Sequence, residues 1–316
     1  MSTLVLVVAV SNDRPQGKIL GRGTQENYRH LKAFHRLCQK YAIMPTYLLS
    51  YPALRSDSLD WLYEAESRGE CECGTLFQSW TTPPFEASEN RLATTPTDRQ
   101  PRHVVHQKFV SLRTAFFNRF GRFPRSNQTE GWDYSTNLLQ ALTTLGYDFD
   151  CSFAPGESVN HSTGSIVPTT PFYPSIQNPT LRGDLALLEL PVLTNTPSTE
   201  AVLRYLPKGR GIRHAFESVT SACGFAQTVV DPFRQSVSQV TLAVEQAIEL
   251  GRDPIVLTLK SFDIGVGTSD LATSDAELSD LLSDLDRVLC ELVDTMRIPT
   301  FGLEYCGDRF SNRILD

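Results

Sequence analysis

The sequence predicts an α/β fold, a (β/α) barrel-like single domain over residues 1–316. Three observations carry this. Strand-like and helix-like patterns alternate along nearly the whole chain. Several strand candidates are continuous apolar runs, which suits parallel strands covered on both faces. No repeat, low-complexity linker or composition shift divides the 316 residues, a length that buries a large core.

The elements follow in order. Residues 4–10 (LVLVVAV) read as a buried first strand. A helix is expected from about residue 24 to 41, with Leu31, Phe34, Leu37 and Cys38 on one stripe. Pro45 opens TYLLSYP, a second strand, and Ser56 or Ser58 caps a helix running through Ala65 and stopped at Gly69. CECGTLF (71–77) is the third strand, and a proline-rich loop fills 79–101.

Pro101 suits the first turn of a helix whose core stripe is Val105, Phe109, Leu112 and Phe116. Residues 124–128 are extended. Leu138, Leu139, Leu142 and Leu145 mark a helix ended by Gly146, and YDFDCSF is a strand. A second long loop spans 154–184, and ALLELPV (186–192) is a strand.

Helical stretches follow near 199–206, 212–224 and 236–250. DPIVLTLKSF is a buried strand ending at Lys260. Ser274 and Glu277 form a capping box before a leucine-rich helix over 278–292, and PTFGLEY reads as the last strand. Both long loops exceed ordinary connections, and their aromatics (Trp80, Phe85, Phe172, Tyr173) favour binding loops.

Composition excludes several classes. A charge of −7 without any basic run argues against a nucleic-acid or anionic-membrane partner. The seven-residue apolar run near the start is too short for a signal-peptide core or a bilayer span. Seven cysteines without a secretion signal point to reduced thiols and a cytoplasmic location. No glycine-rich phosphate loop, Gly-x-Ser-x-Gly elbow or heptad run is present.

The order of PTYLLSYP, SWTTPPFE, FGRFPRS, LGYDFDCSFAP, LLELPV and VLTLKSF resembles the polysaccharide deacetylase family, carbohydrate esterase family 4 with its NodB-homology domain. The likeness covers most of the chain and implies a distorted (β/α) barrel of the polysaccharide deacetylase type, holding a divalent metal at its mouth. In that family a carboxylate motif after strand one supplies a base and a ligand, and a His-x-His pair supplies imidazoles. An arginine orients the base, and a late histidine is the acid. Here those positions fall on Val10 to Asn12, on Leu76 and Gln78, near Gln128, and on Lys260. Glu72, Gly74, Trp80, Pro83, Pro84 and Phe85 are kept. An alkyl group has no lone pair and an ammonium is a poor ligand, so neither metal nor cofactor is expected.

Single residues have competing readings. Trp80 and Phe85 are either sugar platforms or covers for the barrel end. Lys260 either meets a ligand or pairs with Glu72 or Glu189. Cys71 and Cys73 share one side of a strand, a spacing that begins a zinc site or, more simply, packs into a core. His103 and His106 read as helix-surface residues. His161 and Asp13 are the remaining candidates for an acid or base.

The expectation is therefore a pseudoenzyme whose groove, lined by Asn12, Gln78, Trp80, Gln128, Glu189 and Lys260, binds a carbohydrate, a small amide-bearing ligand or a protein partner. The alternative is a metal-independent hydrolase of amide or ester bonds using Asp13, His161 or Glu189. A third is a scaffold for an active paralogue.

Overall fold

The computed structural model describes residues 2–12, 25–85, 95–155, 167–195 and 228–315. The helices expected near 199–206 and 212–224, together with Asp13 and His161, lie outside these residues.

Seven parallel strands form a curled half-barrel sheet with helices packed against it. They are β1 (Leu4–Val10), β2 (Thr46–Leu49), β3 (Glu72–Phe77), β4 (Ser126–Thr129), β5 (Phe149–Asp150), β6 (Leu188–Glu189) and, later in the chain, β9 (Ile255–Lys260). Their order is β6-β5-β4-β3-β2-β1-β9. A short antiparallel pair, β7 (Thr194–Asn195) and β8 (Thr228–Val229), stands apart. The curl brings the segment after β6 onto β9, where Val192 bridges Val256 and Leu193 N–H donates to the Val256 carbonyl at 2.8 Å.

All seven residues of β1 are buried because β1 sits between β2 and β9 with material on both faces. Side chains alternate across the sheet. Leu4, Leu6, Val8 and Val10 pack under the helices, while Val5, Val7 and Ala9 turn into the barrel beside Leu48, Leu76, Cys151, Leu190 and Val256.

Among the described residues, the α-helices are α1 (Leu31–Lys40), α2 (Tyr51–Leu54), α3 (Trp61–Ser67), α4 (Arg102–Phe120), α5 (Thr136–Thr144), α6 (Val237–Glu249), α7 (Asp275–Leu289) and α8 (Leu303–Leu315). The stripe of Val105, Phe109, Leu112 and Phe116 on α4 is fully buried. The helix ends at Gly121, whose φ of 70° is the left-handed cap that glycine takes cheaply.

On α6, Ser236 and Gln239 make a reciprocal capping box. At α7 the Ser274 hydroxyl accepts from Glu277 N–H, but the Glu277 carboxylate turns to Thr273 rather than closing the box.

Two expectations need correction. PTFGLEY is not a strand: only Thr300 bridges Leu4, and Leu303 already begins α8. The Glu72 carboxylate takes the backbone N–H groups of Glu304 and Tyr305 at 2.8 and 3.1 Å, satisfying donors that a helix start leaves open. TYLLSYP likewise ends early, because the second strand stops at Leu49 and Tyr51–Leu54 turns helical. Among the described residues, no helix is long and apolar enough to cross a membrane.

Candidate functional site

The carboxyl ends of barrel strands are where side chains converge without interrupting the ladder. Here they enclose a cavity of about 210 Å³. Ala9 and Ser11 come from the end of β1, Leu76 from β3, Gln128 from β4, and Thr258 and Lys260 from β9. Glu130, Trp132 and Phe262 complete the rim.

Period-two alternation explains the selection. Thr258 and Lys260 share one face of β9, in register with Val7 and Ala9, so all four point inward. Leu76 is paired with Gln128, which puts the aliphatic and the amide side by side.

Gln128 is fixed by its own donors. Nε2 reaches the Cys151 carbonyl at 3.1 Å and Thr258 Oγ1 at 3.5 Å, the second contact crossing the barrel. That leaves Oε1 as the acceptor without a hydrogen bond among the described residues. Ser261 locks the opposite wall: its hydroxyl accepts from Ser11 N–H at 3.0 Å, donates to the Ser11 carbonyl at 3.1 Å, and is braced by Asn27 Nδ2 at 2.8 Å.

Lys260 is half-buried, and its ammonium makes neither hydrogen bond nor ion pair among the described residues; its nearest ring is Phe262, at 5.8 Å. The expected alternatives, pairing with Glu72 or Glu189, do not occur. The Lys260 charge acts through space on Asp231 and Asp263, while both carboxylates lie beside Arg234, at 3.8 and 3.1 Å. Burial pushes both of these carboxyls up, and the neighbouring cations pull them back.

The other predicted positions lie elsewhere. Val10 packs under the helices. Asn12 is buried beneath α1's approach, with Oδ1 accepting from the Tyr28 hydroxyl at 2.7 Å, and it does not line the cavity. Gln78 does not line it either, because β3 ends at Phe77 and the next turn folds back, with Thr81 donating to Gln78 Oε1 at 3.2 Å. Trp80 contributes indirectly: its indole N–H donates to Glu130 Oε2 at 2.8 Å and so positions a rim carboxylate. The turn carrying Trp80 is held from below by Lys108, buried on α4, which donates to the Ser79 and Thr82 carbonyls, both at 2.9 Å. Phe85 is 39% exposed, with Lys108 5.2 Å from its ring.

Glu189 faces the helices, not the barrel. Its neighbours Leu188 and Leu190 point inward, so the alternating strand turns Glu189 outward beside Asp150. Asp150 takes Asn127 Nδ2 and the Ser152 hydroxyl, both at 2.9 Å, and Glu189 takes Phe153 N–H at 3.0 Å. Burial raises both carboxyls above their ordinary range, and the Asp150 charge lifts Glu189 further.

Cys71 and Cys73 are buried in the apolar layer under the helices. His103 is exposed and His106 half-buried on α4.

Sequence reasoning missed Ser11, Thr258, Glu130, Trp132 and Phe262. The Glu130–Trp132 turn is the least legible of these. Gly131 and Trp132 are both left-handed, with φ of 73° and 58°, and it is this that brings the indole to the rim. A tryptophan held there is uncommon, and such conformations gather at functional sites.

The divalent metal implied by the family resemblance does not fit these residues. An amide, hydroxyls, one carboxylate, an alkyl group and an ammonium do not make the imidazole and carboxylate set such an ion needs. Among the described residues, no group of three or more His, Cys, Asp or Glu is placed to hold one.

No family model and no curated protein matches this sequence. Solved structures do. A candidate polysaccharide deacetylase from Mycobacterium smegmatis aligns with a TM-score of 0.57 at 10% identity, over 99% of this chain and 91% of that one. The fold is the deacetylase-type (β/α) barrel. A GH57 branching enzyme from the archaeon Thermococcus kodakaraensis aligns with a TM-score of 0.54 at 12% identity, over 96% of this chain and 70% of that one. A 4-alpha-glucanotransferase from Thermococcus litoralis gives 0.51 at 12% identity, over 98% of this chain and 38% of that one. At these identities the likeness is one of fold, and this deacetylase-type barrel carries its own set of groups at the mouth.

Proposed function

We propose that this deacetylase-type barrel is a pseudoenzyme that binds a carbohydrate unit at its mouth. One observation carries the reading: Leu76, Gln128 and Lys260, three positions where the resemblance implies reactive groups, line a single cavity with hydroxyl and aromatic neighbours instead. The volume of about 210 Å³ holds roughly seven waters, room for one sugar ring. Gln128 Oε1 offers an acceptor, the hydroxyls of Ser11 and Thr258 offer both roles, and Trp132 and Phe262 offer faces for C–H groups. The fold-level likeness to structures named for carbohydrate enzymes agrees with this choice.

Glu130 favours keeping one second reading, metal-independent hydrolysis of an amide or ester, because it is the carboxylate on the rim. Two assays separate them. Calorimetric titration with a monosaccharide panel should show binding. Incubation with acetylated sugars should release no acetate, and release that is abolished by Glu130→Gln would establish the hydrolase instead.

A further inference from the structure

We infer that the bound sugar unit carries a carboxylate, seated against the wall made by Ser11, Thr258 and Lys260. The inference rests on the saccharide-binding reading and narrows it to an acidic sugar.

The hydrogen-bonding capacity of that wall points one way. The Lys260 ammonium has three donors and no acceptor, and it finds no hydrogen bond or ion pair among the described residues. Thr258 Oγ1 already accepts from Gln128 Nε2, so its own O–H is left to donate. The Ser11 main chain is bound up with Ser261 and Asn27, while its hydroxyl stands at the cavity. Donors from β1 and β9 therefore converge, and register pairing of Ala9 with Lys260 keeps them together.

The acids nearby meet Lys260 only through space, without an ion pair among the described residues. Asp263 is fully buried and bonded to Arg234, and Asp231 lies 3.8 Å from the same guanidinium. Arg234 also holds Asp270 at 3.0 Å. No carboxylate oxygen among the described residues comes within ion-pair distance of Lys260.

On the β4 side the polarity reverses. Gln128 Oε1 and the Glu130 carboxylate are acceptors, and Trp80 keeps Glu130 in place. A ligand with an anionic end and a hydroxyl-bearing ring matches both sides in one orientation. A phosphate fits less well, since the lining among the described residues offers no arginine and no α-helix N-terminus, the usual partners of a three-oxygen anion.

The test is calorimetric titration of the full chain with D-glucuronate, D-glucose and D-glucose 6-phosphate. Glucuronate should bind about tenfold or more tighter than glucose, the scale of a hydrogen bond to a charged group. Lys260→Met should bring the two dissociation constants together, and Lys260→Arg should keep the preference. Circular dichroism of each variant controls for folding. Equal binding of glucose and glucuronate by the natural chain overturns the carboxylate assignment while leaving saccharide binding intact. Tighter binding of the phosphate, or a glucuronate preference that survives in Lys260→Met, overturns it too. Binding of none of the three overturns the saccharide reading along with it.

Discussion

Gln128 Nε2 lies 3.5 Å from Thr258 Oγ1, although β4 and β9 are four places apart in the sheet order. The contact spans the barrel and fixes which atom of the amide faces the cavity. Replacing Gln128 with leucine keeps the shape and removes the acceptor. Saccharide affinity should drop about tenfold or more, while stability changes by under about 1.5 kcal/mol. Calorimetry and urea unfolding read the two effects separately; unchanged affinity would remove Gln128 from the site.

Lys108 is predicted to act at a distance. Its ammonium is buried beneath the turn that carries Trp80, holding the Ser79 and Thr82 carbonyls. Lys108→Met should cost about 2–4 kcal/mol in urea unfolding, the scale of lost charge-assisted bonds. Trp80 should loosen with the turn, so the indole fluorescence should shift as well. A variant as stable as the natural chain would show that the turn holds itself.

Much of the fold was legible, and for one reason. Leu4–Val10, the α4 stripe and the leucine-rich α7 bury whole runs or whole stripes, and burial is what a hydrophobic pattern reports. Glu189 was not legible, because ALLELPV is apolar on both faces and only register with Asp150 shows that it turns outward. Gln78 needed the end of β3 to be placed within one residue, and Trp132 needed two successive left-handed residues, which composition does not announce. Of the expected groove residues, Gln128 and Lys260 line the cavity; Lys260 was placed by its position at a strand end and Gln128 only by the family resemblance.

Glu304 makes stability depend on pH. Burial, and then the Glu72 charge, holds its pKa up to about 7. In the unfolded chain the value returns to about 4.3. Across that window the folded chain binds the extra proton, so stability falls as pH rises from about 4 to about 7. The part lost is about 4 kcal/mol at most. Urea midpoints at about pH 5 and about pH 8 should therefore lie closer together in Glu304→Gln than in the natural chain. Some slope should remain, since Glu72, Asp150 and Glu189 are also raised by burial. An unchanged gap would contradict the assignment.

Gly302 leaves room for the Glu72 carboxyl. A Cβ there would collide with the Glu72 carboxyl that caps α8. Gly302→Ala should destabilise by about 1–3 kcal/mol, the usual cost of overpacking, in urea unfolding. A neutral result would mean that Glu72 has room to move and the cap is loose.

The most direct test of the account fills the cavity from its floor. Ala9 faces inward at the mouth, and Ala9→Leu puts a larger aliphatic group where the sugar ring would sit. Calorimetric titration with the monosaccharide panel should show binding by the natural chain and none by a folded Ala9→Leu protein. Equal binding by both, or no binding by the natural chain, would contradict the claim that this barrel mouth is a saccharide site.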